Sequence, residues 1–285
     1  MIRSAPTLPL PAGRRRVAAV PLGSRSGLAV ALASGFGVLA FGWPFFVAPG
    51  PLGGSLVPPL MFGALLLIVL AVVLAQLADG GMDSKAVAML GVLAAAGAAL
   101  RPLGAGTAGI ETVFFLLIVA GRVFGPGFGF ALGCVTIFTS ALVTGGVGPW
   151  MPYQMFASAW VGMGAGMLPR VPPRWERVLL AGYGAVAGYA YGLAVNLSFW
   201  PFSVDPSSSI AYRPGAALLT NLHRYVIFDA TTSLGWDTGR AITDVVALLV
   251  LGPVLLAAFR RAARRAAFDA PVGFSDGADG AAPAR

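Results

Sequence analysis

The chain contains long blocks of apolar residues with no charged side chain, among them 27–48 and 58–78. Each is near the length of about 20 residues that crosses a hydrocarbon core. Hydrophobic residues make up 57% of the 285 positions and charged residues only 11%, against about 25% in a soluble domain. A water-soluble fold would lack the polar surface to cover so many apolar segments. Inside lipid, each backbone N–H and C=O must be satisfied within its own segment, which helices do. The expected fold class is therefore an all-α integral membrane protein, a polytopic helical bundle of about eight transmembrane helices.

Hydropathy places the spans near 27–48, 58–78, 85–100, 109–123, 127–145, 152–168, 176–199 and 240–259. A basic N-terminal segment, 1–26, precedes them. Arg14-Arg-Arg looks like the start of an export signal, but Arg25 interrupts the apolar region and the next run is long enough to span, so it reads as a retained segment. The polar stretch 200–239 reads as a loop with an amphipathic helix at one surface. The Ala/Gly/Asp-rich tail 262–285 has no apolar face and is expected to be disordered. Placing both termini in the cytoplasm puts 15 of the 19 basic residues inside and leaves Arg101, Arg213, Arg224 and Arg240 outside. This is the asymmetry the positive-inside rule requires, and it implies a multi-pass protein of the plasma membrane.

Small residues at four-residue spacing let helices approach closely in lipid. They occur at Gly121, Gly125, Gly129 and Gly133, at Gly162 and Gly166, and at Gly184, Gly188 and Gly192. The stripe Gly91, Ala95 and Ala99 is nearly free of large neighbours and is a candidate docking face for another membrane protein. Ala29, Ala33 and Gly37 form a rival stripe. At the outer ends of the spans, ionisable and aromatic residues gather. Arg101 and Glu111 flank one loop, Trp150, Tyr153 and Gln154 sit on a Pro-rich turn, and Asn196 and Trp200 close another span. His223, Tyr225 and Trp236 face the same compartment. Aromatic plates beside hydrogen-bonding groups suit a flat, polar-edged small molecule, and these ten residues are the candidate substrate-binding set.

The charge pattern gives no nucleic-acid-binding face, since the basic residues cluster at segment ends with no interleaved aromatic platform. One cysteine, Cys134, and one histidine allow neither a disulfide nor a Cys/His metal set. The single lysine stands in no P-loop, and no Gly-x-Ser-x-Gly elbow occurs. No catalytic residue, metal site or cofactor is expected. An integral-membrane enzyme acting on a lipid through Glu111, Asp229 or His223, or a membrane assembly or scaffold protein, are the competing readings.

From Ser84 to about Arg261 the chain resembles the substrate-capture (S) components of energy-coupling factor (ECF) transporters. The residues that carry the likeness are Ser84-Lys-Ala-Val-Ala-Met-Leu-Gly, Phe114-Phe-Leu-Leu-Ile, Gly121-Arg-Val-Phe-Gly-Pro-Gly-Phe-Gly-Phe and Gly148-Pro-Trp-Met-Pro-Tyr-Gln. Gly162-x-x-x-Gly and Trp236-Asp-Thr-Gly-Arg-Ala follow them. The resemblance implies a six-helix unit over 85–261, preceded by two extra helices within 27–80. It implies a vitamin-like substrate held by the outer loops 101–110, 145–153 and 200–239, with Gly91, Ala95 and Ala99 docking on a transmembrane coupling subunit driven by two ATPase subunits. The long outer segment would suit a bulky ligand such as a cobalamin-like corrinoid. The usual Ala-x-x-x-Ala pair is replaced here by Gly-x-x-x-Ala-x-x-x-Ala.

Overall fold

The computed structural model describes residues 20, 22–46, 57–78, 82–104 and 107–266. Nearly all of the basic N-terminal segment, with Arg3 and Arg14 to Arg16, lies outside them, as does 267–285 of the expected tail. Residues 262–266 are helical, so the last helix runs further than the sequence reading placed it.

The described residues form helices without any strand. In chain order these are α1 (Ser24–Phe41), the short α2 (Trp43–Phe46), α3 (Val57–Ala78), α4 (Ser84–Gly104), α5 (Phe114–Phe124), α6 (Pro126–Thr144), α7 (Met151–Met167), α8 (Pro173–Ser203), α9 (Leu218–Thr232), α10 (Leu234–Val250) and α11 (Gly252–Ala266). Among the described residues α1, α4, α6 and α8 are long and apolar enough to cross a membrane. A fifth candidate arises if α10 and α11, bent by 64°, form one broken span. The chain is thus an all-helical protein of multi-pass membrane character.

Two segments differ from their sequence reading for identifiable reasons. The stretch 240–259 is not one straight helix, because Pro253 offers no N–H and Gly252 precedes it, so the chain bends after Leu251. The stretch 109–123 holds a helix of only 11 residues, α5, about 17 Å long at 1.5 Å per residue. Its side chains from Phe114 to Ala120 are all buried. Neighbours α6, α7, α8, α10 and α11 surround it. Its unbroken apolarity therefore reflects burial on every side within the bundle.

The glycines of 121–133 do not share one helix. Gly125, at φ 111°, ends α5 and turns the chain directly into α6. The glycines nevertheless serve one crossing. A Cβ on Gly121 or on Gly129 would overlap the Gly162 carbonyl of α7, and one on Gly133 would stand 2.5 Å from the backbone of Ser158 and Ala159. Three helices meet there backbone to backbone, as small-residue packing in lipid allows. Gly184, Gly188 and Gly192 seat α10, Gly188 against the backbone of Ala241 and the other two against the side chains of Leu248, Asp244 and Asp237. The rival stripe on α1 is covered, with Ala33 buried and Gly37 against Trp160 and Phe156 of α7. By contrast Gly91, Ala95 and Ala99 of α4 are exposed, and a Cβ on Gly91 would meet nothing within 4 Å.

The bundle has two chemically different ends. At one, Arg122 Nε donates to Glu176 Oε1 at 2.9 Å and Arg260 Nη2 to the same oxygen at 2.6 Å, while Arg122 also donates to the carbonyls of Leu168 and Pro169. This joins α5, the end of α7, α8 and α11. The opposite end holds the cavity.

Candidate functional site

Helix α4 ends in Arg101-Pro-Leu-Gly, and the loop that follows is clamped to it. Thr112 Oγ1 donates to the Leu100 carbonyl at 2.6 Å, and Gly104 leaves no room for a Cβ beside the Ile110 carbonyl. On its other side the loop meets α10. Gly109, at φ 77°, lies against the Trp236 carbonyl, and Gly239 lies against the Ala108 carbonyl. This close contact delivers Glu111 to Arg240, whose Nε donates to Glu111 Oε2 at 2.8 Å. Arg240 Nη1 donates to Asp237 Oδ1 at 2.5 Å and to the Gly188 carbonyl at 3.1 Å. Its guanidinium lies 5.0 Å from the centroid of the Tyr191 ring, a cation–π contact. Tyr191 is held edge-on by Phe114 at 4.6 Å. Gly192 completes the seat, because a side chain there would overlap the Asp237 carboxylate.

A cavity of about 320 Å3 opens over this group. Arg101, Glu111 and Arg240 supply its charges, Ser140 and Thr144 of α6 its hydroxyls, and Trp236, Ile110 and Pro102 its apolar surface. Arg101 is placed by Gln154, which accepts from Nη2 at 2.9 Å, and by Ser140 Oγ at 3.5 Å from Nη1. Its Nε stands 4.0 Å from Glu111 Oε1. A guanidinium has five N–H donors, so Arg101, with its side chain 21% exposed, keeps donor capacity toward the cavity. Glu111 Oε1 keeps acceptor capacity beside it. Arg101 and Arg240 balance Glu111 and Asp237, so the first layer of charge is neutral overall.

Of the ten residues expected to bind substrate, the structure brings Arg101, Glu111 and Trp236 to this cavity and sets Gln154 behind Arg101. The others lie elsewhere. Tyr153 is buried edge-on to Phe41 at 5.1 Å, and Trp150 is half exposed over Gly148. Trp200 is fully buried with Tyr225 and Phe228 in a separate aromatic cluster under α9, its Nε1 donating to the Ile210 carbonyl at 2.9 Å. Asn196 Nδ2 donates to Asp229 Oδ1 at 2.7 Å beside that cluster, and His223 is exposed on α9. Glu111, Asp229 and His223, the groups an enzyme reading would use, are thus held in three different settings.

Sequence reasoning did not assign Arg240, Ser140 and Thr144 to the site. Arg240 carried a signal, an arginine three residues after Asp237 at the head of an apolar run. Ser140 and Thr144 are four apart on one helix face and carried none above the background of small polar residues. Among the described residues no group of three or more His, Cys, Asp or Glu could hold a metal ion.

No family model, no curated protein and no solved structure matches this chain. The site is therefore read from its own chemistry.

Proposed function

We propose that the protein is the substrate-capture subunit of an ECF-type importer, an eight-span membrane protein with both termini in the cytoplasm. In this reading it binds a vitamin-like small molecule at the outer face and passes it on by docking against a coupling subunit driven by separate ATPases. The observation that carries the proposal is the cavity between Arg101, Glu111 and Arg240, at the end of the bundle opposite Arg122, Glu176 and the arginines of α11. A capture subunit needs a polar site at the outer end and its basic residues inside. The exposed stripe Gly91, Ala95 and Ala99 on α4 offers the small-residue face that a membrane partner would dock on.

The cavity narrows the substrate. Ligand pockets run from about 300 to 1,000 Å3, and 320 Å3 lies at the small end of that range, which favours a compact molecule over a corrinoid. The balanced charges mean that the ligand need bring no net charge. The open donors of Arg101 beside the open Glu111 oxygen fit a ring edge that presents an acceptor next to an N–H.

Mass spectrometry of small molecules retained by the solubilised protein tests the binding role. Arg101→Gln should lower the affinity for the retained ligand about 10- to 100-fold, the worth of a charge-assisted hydrogen bond. In cells that also carry a coupling module, Ala95→Trp with Ala99→Trp should abolish uptake and spare ligand binding. Absence of any ligand, or uptake unaffected by the tryptophans, would count against the proposal.

A further inference from the structure

Helix α11 carries four arginines in six residues, Arg260, Arg261, Arg264 and Arg265, and their surroundings differ. Arg260 is committed to Glu176. Leu256 and Phe259 are buried, Leu255 and Ala263 pack on the core, and Phe259 lies 5.8 Å from Phe124 of α5. These contacts fix the rotation of the helix. At 3.6 residues per turn, Arg261, Arg264 and Arg265 then share the opposite face, and all three are exposed. On that same face, about two to three turns nearer the bend, stands Val254, exposed at 69%, and Leu251, at the bend itself, is exposed at 46%. One face of the segment therefore changes from apolar to basic over about ten residues, roughly 15 Å at 1.5 Å per residue. The N-terminal turn of α8, tied to α11 through Glu176, adds exposed Arg174 and Arg177 on either side of exposed Trp175.

We propose that this face is a binding surface for the phosphate headgroups of anionic phospholipids. Helix α11 leaves the hydrocarbon obliquely, keeping Leu251 and Val254 among acyl chains and bringing Arg261, Arg264 and Arg265 to the headgroups. The apolar-to-basic gradient favours a lipid over a soluble protein partner, which would have no use for bare leucine and valine on the bend side of the arginines. An aromatic flanked by arginines is likewise the composition of a membrane interface. The 64° bend between α10 and α11 sets the angle, and the bond from Arg260 to the buried Arg122–Glu176 pair holds it. The proposal does not depend on the transport reading.

The test reconstitutes the full-length protein in nanodiscs of equimolar phosphatidylcholine and phosphatidylglycerol and reads the retained lipid by native mass spectrometry. Each arginine near an anionic surface is worth about fivefold in partition. The wild type should therefore retain phosphatidylglycerol over phosphatidylcholine by roughly tenfold or more after screening. R261Q/R264Q/R265Q, which leaves Arg174 and Arg177 in place, should lower that ratio at least about fivefold, and Arg213→Gln, at the cavity end, should leave it unchanged. If the triple variant does not fold, R264Q/R265Q in the last turn should give an intermediate ratio, and 0.5 M salt should collapse the wild-type preference. An unchanged ratio in a folded variant overturns the proposal. So does loss of a co-purifying protein with lipid preference intact, which would assign the arginines to a protein partner.

Discussion

Replacing Arg240 with methionine tests whether the charge group beneath the cavity is a fixed scaffold. The guanidinium is 12% exposed and holds Glu111 at 2.8 Å and Asp237 at 2.5 Å. At an effective dielectric of about 20, unit charges 3 Å apart attract by roughly 5–6 kcal/mol, and desolvation cancels much of that. Breaking a buried pair from one side still costs about 3–5 kcal/mol, because the other charge is left alone. Glu111 softens the loss here, being 18% exposed and 4.0 Å from Arg101. Asp237, with its side chain 2% exposed and Oδ2 without a partner, has no such recourse. We therefore expect Arg240→Met to cost about 3 kcal/mol, the low end of that range. Asp237→Asn leaves Arg240 bonded to Glu111 and Gly188 and should cost about 1–2 kcal/mol. In the double variant no carboxylate is stranded, so the cycle should show at least about 1.5 kcal/mol of coupling. Unfolding free energies from detergent titration in a common micelle give all four corners. A coupling under about 0.5 kcal/mol would refute the reasoning and make Arg240 a solvated side chain. Gly192→Ala should mimic Arg240→Met, since its methyl group would displace the Asp237 carboxylate.

The three-helix crossing and the loop after α8 give two further predictions. Gly162→Ala should destabilise by at least about 1–3 kcal/mol through overpacking, since its Cβ would overlap the Gly129 carbonyl, whereas Gly91→Ala, with nothing within 4 Å, should stay within about 0.5 kcal/mol of wild type; equal melting temperatures for the two would contradict this. In the loop after α8, the Ser207 hydroxyl and backbone N–H both donate to Asp205 Oδ1 and hold its carboxyl below the ordinary aspartate range. A depressed folded pKa means that this contribution is present above the unfolded pKa and is lost as pH falls through the folded one. The protection of the Ser207 amide, its exchange rate relative to the intrinsic rate at each pH, should be flat through neutral pH and fall, relative to Asp205→Asn, only in acid; a transition near neutrality would exclude it.

Apolar blocks located the helices well where a helix meets neighbours or lipid along its whole length. The runs 58–78, 127–145 and 152–168 fall within a residue of Val57–Ala78, Pro126–Thr144 and Met151–Met167. Hydropathy alone could not separate α5, apolar because protein surrounds it, from a helix apolar because lipid does. It also averaged across Gly252-Pro253, where a missing N–H decides the direction of the chain. At the site, Arg101 and Glu111 were legible because ionisable groups beside apolar runs are costly and therefore conspicuous. Tyr153, Trp200 and Tyr225 were not, because an aromatic at a helix end reads alike whether it joins the interface, a ligand or the core. For Trp200 and Tyr225 this depends on the packing of the cap formed by α2, the loop after α8 and α9, where the Tyr212 hydroxyl donates to the Pro44 carbonyl and Arg224 to the Ser209 carbonyl, and for Tyr153 on the approach of Phe41 in α1.

The length of α5 connects the two ends of the molecule. Its 11 residues span about 17 Å, while the 31 residues of α8 beside it span about 46 Å. A short central helix among long ones leaves a recess at each end, and its terminal backbone groups lie inside the bundle, where the Phe124 carbonyl accepts from the Val20 N–H and the Val113 carbonyl from the N–H groups of Leu116 and Leu117. The charges in those recesses have the signs that the helix dipole asks for. Glu111 precedes the N-terminus, and Arg122 stands in the last turn at the C-terminus. Each is then matched by a second layer, Arg240 and Arg101 at one end and Glu176 with Arg260 at the other. The recess at the Arg122 end is filled by its own ion pairs and by carbonyls of the α7 terminus, which makes it scaffold. The recess at the Glu111 end is only partly filled. The 320 Å3 that remain there, floored by Glu111 and walled by Arg101, are the space a ligand would complete.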